Sequence, residues 1–142
     1  MKKKIIFSIL GLLVFFIIIQ LIPFGRQHSN PPVIQEPKWD SPQTRELAQR
    51  ACFDCHSNET VWLWYSNIAP VSWLVQRDVN EGREKLNFSD WGRAREKDEI
   101  IEVIQEGEMP MPIYLIMHPE ARLSAAEKEA LISGLQVIIY SR

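Results

Sequence analysis

Both cysteines of this 142-residue chain, and one of its three histidines, fall within five positions: the stretch "ACFDCHSN" holds Cys52, Cys55 and His56 as C-x-x-C-H. The chain around them must therefore present two thiols and an imidazole on a single turn. A thioredoxin-like dithiol requires only the cysteines, and it normally opens a helix beside a strand in a βαβ setting. Strand alternation is scarce here, and the pair comes late in a helical run. A structural zinc site needs four ligands, commonly two C-x-x-C pairs or Cys₂His₂. Beyond His56 only His28 and His118 remain, which leaves such a site short of ligands. C-x-x-C-H is read instead as attachment of c-type haem. The thiols add across the two vinyl groups, one helical turn sets their spacing, and the adjacent imidazole falls under the iron as proximal ligand.

Helix punctuation is frequent in the rest of the chain. "DSPQTRELAQRACFDC" opens with Asp40 or Ser41 as N-cap and Pro42 in the first turn. In "APVSWLVQRDV", Pro70 precedes Val71, Leu74, Val75 and Val79 on one face. "SDWGRAREKDEIIEVIQEG" starts with Ser89 or Asp90 as a cap and stops at Gly107. Ser124 and Glu127 form an S-x-x-E capping box before "KEALISGLQVIIY". The expected fold class is all-α: a small cytochrome c-like domain of four or five short helices around a haem. Such a domain, of about 100 residues, buries little apolar surface for its size, and a haem would fill its centre.

After "MKKK" the run "IIFSILGLLVFFIIIQLI" extends from Ile5 to Ile22, broken only by Ser8, Gly11 and Gln20. As a helix it would measure about 27 Å, against a hydrocarbon core of about 30 Å. No A-x-A-like cleavage site follows. The expectation is an N-terminal transmembrane anchor over residues 1–24, a Pro-rich tether over 25–38 and a haem-binding domain over 39–142. The positive-inside rule keeps the three lysines cytoplasmic, and so sends the domain across a bacterial inner membrane into the periplasm. The chain carries −2 overall. Residues 1–38 hold five cations against Glu36, or +4, which leaves −6 for residues 39–142. No basic patch with interleaved aromatics occurs, so nucleic acid is not an expected partner. The membrane and redox partner proteins of the respiratory membrane are.

Iron in an electron carrier usually has a sixth ligand, and methionine paired with histidine raises the potential. The stretch "GEMPMPIYLIM" offers Met109, Met111 and Met117. A methionine held between prolines is poorly explained by core packing, where its flexibility is the usual advantage. Met109 is the first choice and Met111 the second, whereas Met117 lies in an apolar run that reads as core. His118, followed by Pro119, reads as structural. His56 should donate its other ring N–H to a carbonyl, for which Pro70 is the candidate. Trp62, Trp64, Tyr65 and Trp73 are candidates for the haem surroundings, and Arg83 and Asn87 for its propionates.

The blocks "CFDCHSNET", "WYSNIAPVSWLV", "GREKLNFSDW", "GEMPMPIY" and "HPEARLSAAEKEAL", in this order, resemble the haem-binding domain family of membrane-anchored, c-type-cytochrome-like bacterial proteins. The resemblance covers Trp39 to the C-terminus. It implies one covalent haem c, with its iron, on Cys52 and Cys55, His56 as proximal ligand, and a distal methionine at Met109 from the G-x-M-P element. Leu63 and Met111 stand where the family pattern has proline, so both loop methionines stay candidates. The function expected is periplasmic electron transfer by a membrane-anchored c-type haem protein, with no catalytic residues of its own. The alternatives are a haem-based sensor, a peroxidase-like enzyme, or a thiol–disulfide oxidoreductase using Cys52 and Cys55.

Overall fold

A computed structural model describes residues 2–140. They form seven α-helices: α1 (Lys2–Ile19), α2 (Pro42–Ala51), α3 (Phe53–His56), α4 (Val71–Lys85), α5 (Ile100–Glu106), α6 (Tyr114–Met117) and α7 (Ala125–Tyr140). Short 3₁₀ turns occur at Trp64–Asn67, Trp91–Arg93 and Pro119–Ala121. Pairing of strand type among these residues is limited to one isolated bridge between Gln35 and Asp90; the chain is helical as expected, but six helices, α2 to α7, follow α1 where four or five were expected.

The expected transmembrane helix is not there. No helix among the described residues is long and apolar enough to cross a membrane. α1 has 18 residues, but it begins with Lys2, Lys3 and Lys4. Its apolar stretch runs only from Ile5 to Ile19, roughly 22 Å, short of a core of about 30 Å. The apolar sequence continues to Ile22, whereas the helix does not. The amides of Gln20, Leu21 and Ile22 bond three residues back, at 3.1, 3.0 and 3.3 Å, and Pro23 follows. The Gln20 side chain is held by the Ala69 peptide, donating to its carbonyl at 2.9 Å and accepting from its N–H at 3.0 Å. The expected single-pass position in an inner membrane, with a periplasmic domain, falls with the span.

The chain divides into two compact units. The first holds the described residues up to Ser29 together with Trp62–Asp78. In it Gly25 has φ +78°, and a Cβ there would run into the Ser72 carbonyl, so only glycine fits. His28 stacks on Trp62 with ring centroids 4.4 Å apart, and its Nε2 lies 3.0 Å from the Ser66 carbonyl.

The second unit holds Asn30–Val61 and the described residues from Val79 onward. Ser41 caps α2 by accepting from the Thr44 N–H at 3.2 Å, with Pro42 as the first residue. α7 opens on the expected capping box. The Ser124 hydroxyl accepts from the Glu127 N–H at 3.3 Å, and the Glu127 carboxylate accepts from the Ser124 N–H at 2.8 Å. α5 stops at Gly107, left-handed at φ +79°. Its start departs from expectation, at Ile100 rather than at a cap on Ser89 or Asp90. Ser89 is otherwise committed: its hydroxyl accepts from the Asn58 N–H, and its carbonyl accepts from the amides of Ile34 and Gln35.

The core of this unit gathers Leu47, Ala48, Phe53, Leu86, Phe88, Ile100, Ile101, Ile104, Leu131 and Leu135. Phe88 is wholly buried and stacks on Trp39, Phe53 and Trp91 at 5.5, 5.5 and 5.6 Å. α2 and α7 approach closely at Gly134, where a Cβ would meet the Thr44 side chain. Residues 30–38 are extended and bonded along their length. The Pro32 carbonyl accepts from Asn58 at 2.9 Å, and Glu36 takes a two-pronged bond from Arg45 at 2.8 Å on each oxygen. That bond from Arg45 holds the Glu36 carboxyl below the usual carboxylate range.

Candidate functional site

Cys52 is both the last cap of α2 and the residue before α3. Its N–H donates to the Ala48 carbonyl at 2.8 Å, and its own carbonyl accepts from the amides of Cys55 and His56 at 3.2 and 2.9 Å. The C-x-x-C-H stretch is therefore one tight turn, with the two thiols a turn apart and no disulfide formed. Burial pushes the Cys52 thiol up to about 12, with the neighbouring Cys55 adding to the effect.

His56 is fixed at its δ nitrogen. Nδ1 lies 3.1 Å from the Gly82 carbonyl and 3.0 Å from the Leu86 carbonyl, so the proton sits on Nδ1 and is shared between them. Nε2 is left with a lone pair, the form in which a histidine binds iron. Burial lowers the His56 pKa against the pull of these two carbonyls, and the ring is neutral at pH 7. The carbonyl expected from the sequence is that of Pro70, and it is not one of the two found here. The chemistry is as expected and the partner differs, because the end of α4 faces the motif. The His56 carbonyl also accepts from the Phe88 N–H at 2.8 Å.

Gly82 is what lets α4 come this close. A Cβ there would stand 2.5 Å from the Cys55 carbonyl oxygen and 3.0 Å from its carbon. Replacing a helical glycine by alanine ordinarily gains about 1 kcal/mol. Here the new methyl meets backbone, and overpacking of that kind costs about 1–3 kcal/mol. Gly82→Ala is expected to lower the urea midpoint, with a net loss of up to about 2 kcal/mol. An unchanged or raised midpoint would show that the approach of α4 to Cys55 does not limit the fold.

Asp54, between the cysteines, is tied on both oxygens. Oδ1 accepts from the Val61 N–H at 2.9 Å, and Oδ2 accepts from the Tyr114 hydroxyl at 2.8 Å. The Tyr114 ring stacks on buried His118 with centroids 4.0 Å apart. His118 Nδ1 lies 3.1 Å from Glu120 and 3.8 Å from Asp54. Burial, then the Asp54 charge, raises the Tyr114 pKa, so the phenol stays a donor.

Cys52 and Met109 line one cleft of about 180 Å³, whose walls include Ile104, Leu115, Leu123 and Leu131. Cys55, His56 and Met111 do not line it. Met111 instead accepts through its carbonyl from the amides of Tyr114 and Leu115 at 3.0 and 3.3 Å. Trp62, Trp64, Tyr65, Pro70 and Trp73 belong to the first unit. There Trp64 is exposed and packs edge-on to Tyr65, and the Trp73 indole N–H is buried. Arg83 donates to the Ser57 carbonyl at 2.7 Å and Asn87 to the Asn58 side chain at 3.0 Å. Asp54, Gly82 and Tyr114 were not singled out from the sequence. The only signal for Asp54 was its place inside the motif.

The donor set fits a haem. Two thiols sit on one turn, the imidazole has its δ proton engaged and its ε nitrogen unprotonated, and Met109 lines the cleft that Cys52 also lines. Among the described residues no group of three or more His, Cys, Asp or Glu side chains is assembled that would hold a bare metal ion. Residues 14–137 match the model of a family described as haem-binding domain. No curated protein and no solved structure matches the chain.

Proposed function

We propose that this chain, which belongs to the haem-binding domain family, holds one covalent haem c and passes single electrons, turning over no substrate itself. The observation that carries this is the C-x-x-C-H turn, with His56 Nδ1 held by two carbonyls and Cys52 sharing a cleft with Met109. The Cys52 and Cys55 thiols would hold the haem covalently, each adding S–H across a vinyl group with no leaving group. His56, with Nδ1 held by the Gly82 and Leu86 carbonyls, would hold the iron through Nε2. Met109, which lines the cleft beside Cys52, would offer its thioether as the second iron ligand. The group supplies, when bound, an iron centre that cycles by one electron.

A sensor or peroxidase would want a vacant sixth position and polar groups beside it. The neighbours of Met109 in the cleft are chiefly apolar, which favours a carrier. A thiol–disulfide oxidoreductase needs a thiolate, usually by lowering the cysteine pKa. Burial moves Cys52 the other way. Residues 39–142 carry −6, which suits a redox partner with a basic docking patch and an association weakened by salt.

The test begins with a pyridine haemochrome assay on denatured protein made alongside a c-type maturation system. The ferric spectra of Met109→Ala and Met111→Ala follow. Covalent haem is expected, with a sulfur-to-iron band that Met109→Ala abolishes and Met111→Ala keeps. Covalent haem without that band in the unsubstituted protein would move the reading to sensing or catalysis. Absence of haem would leave Cys52 and Cys55 as a dithiol.

A further inference from the structure

We propose that Tyr114 is a positioning residue: by donating to Asp54 inside the C-x-x-C-H turn, it holds the methionine loop in register with that turn. The inference rests on the reading of Met109 as the distal ligand and goes beyond it, by naming what keeps the ligand there.

The loop from Glu108 to Ile113 is fastened at two ends. At the first, the amides of Glu108 and Met109 donate to the Val103 carbonyl at 3.0 and 3.1 Å, just past the last turn of α5. At the second, Tyr114 opens α6, and its N–H and that of Leu115 bond the Met111 carbonyl. Pro110 and Pro112 lie between and fix φ at two of the intervening positions. A stiff segment of this kind passes a displacement of Tyr114 on to Met109 where a flexible one would absorb it. Leu115, one residue beyond Tyr114, lines the same cleft as Met109 and Cys52.

The Tyr114 bond is the loop's side-chain tie to the motif. Its hydroxyl meets Asp54 Oδ2 at 2.8 Å across 60 residues of sequence. The partner oxygen cannot drift, because the other oxygen of Asp54 is taken by Val61 at 2.9 Å; the bond from the Thr60 hydroxyl, at 2.7 Å, goes to the Asp54 backbone carbonyl and not to the carboxylate. The phenol is aimed by its stack on His118, 12° from parallel, and His118 is itself buried and bonded to Glu120. A residue needed only for packing would use the ring and leave the hydroxyl in solvent. Here the hydroxyl goes to a carboxylate, the stronger class of hydrogen bond.

Tyr114→Phe keeps the ring and the stack and removes only the tie. In the haem-loaded full chain it is expected to keep covalent haem at the unsubstituted level. The sulfur-to-iron band should weaken, and added imidazole should bind the ferric iron about tenfold tighter or more, since losing a hydrogen bond to a charged group has an effect of that order. Asp54→Asn is expected to behave likewise. Thr60→Val removes a different bond to Asp54, one that does not lead to the loop, and should leave the band and the imidazole affinity unchanged. An unsubstituted protein without the band would sink the methionine ligand and this inference together. With the band present, a Tyr114→Phe protein identical to the parent would sink the inference alone. Equal changes in all three variants would also overturn it, as would loss of bound haem from both Tyr114→Phe and Asp54→Asn.

Discussion

The Cys52→Ala/Cys55→Ala protein, made alongside a c-type maturation system, is expected to retain no haem through denaturation, where the parent retains one. Both thiols are on one turn whose hydrogen bonds run through the Cys52 backbone, so the substitution removes the chemistry and leaves the turn. Each single substitution leaves one thiol and is expected to keep a partial complement. If the haem is lost with the thiols, its apolar surface is lost from the unit as well. If a haem hides roughly 500 Å², the gross term at about 25 cal/mol per Å² is on the order of 12 kcal/mol, an upper figure. Net stabilities of domains are about 5–15 kcal/mol, so the melting temperature is expected to fall by more than about 10 °C. A double variant that melts as sharply as the parent, at the same temperature, would mean that the haem is no part of the core.

Phe88→Ala is expected to cost about 3–5 kcal/mol, the range for deleting a fully buried aromatic ring. Phe88 has no exposed surface, and its ring is the hub of a stack that includes Trp39, Phe53 and Trp91. Removing it opens a cavity bounded by aromatic faces, which close in poorly. Its N–H also holds the His56 carbonyl, so collapse around position 88 would disturb the turn that carries His56. Urea unfolding measures the loss, and near-ultraviolet dichroism from Trp39 and Trp91 reports the stack. Phe88→Leu, which keeps most of the volume, is expected to cost less than about half as much. A small loss in Phe88→Ala would mean that the stack is peripheral to the unit's stability.

What could be read from the sequence was what local chemistry decides. Ser41 with Pro42, the Ser124–Glu127 box and Gly107 each mark a helix end, because the groups that satisfy the helix terminus lie within four residues of it. What could not be read was where a local signal is outbid from a distance. Ser89 has the right side chain for a cap, but its hydroxyl is taken by Asn58, 31 residues away, and α5 starts eleven residues later. The run from Ile5 to Ile22 has the composition of a span. The helix that forms takes in the three lysines at one end and gives up Gln20–Ile22 at the other, where Ala69 captures the Gln20 amide. The C-x-x-C-H turn was legible because its residues are adjacent in sequence. The carbonyls of Gly82 and Leu86 on His56 were not, since carbonyls carry no residue identity and only the course of α4 brings them near.

The unit that carries the motif is helical, yet its ties reach far along the chain. Arg50 meets Glu127 across 77 residues, Tyr114 meets Asp54 across 60, and Gln35 pairs with Asp90. Helical proteins fold fast when their contacts are near in sequence, and loops that must close first slow them. The folding rate of this unit is therefore expected to resemble that of mixed α/β domains. The turn from Ala48 to His56 needs none of those closures. On a nascent chain it would form early and stand open, with both thiols accessible, before the distant ties shut the unit around it.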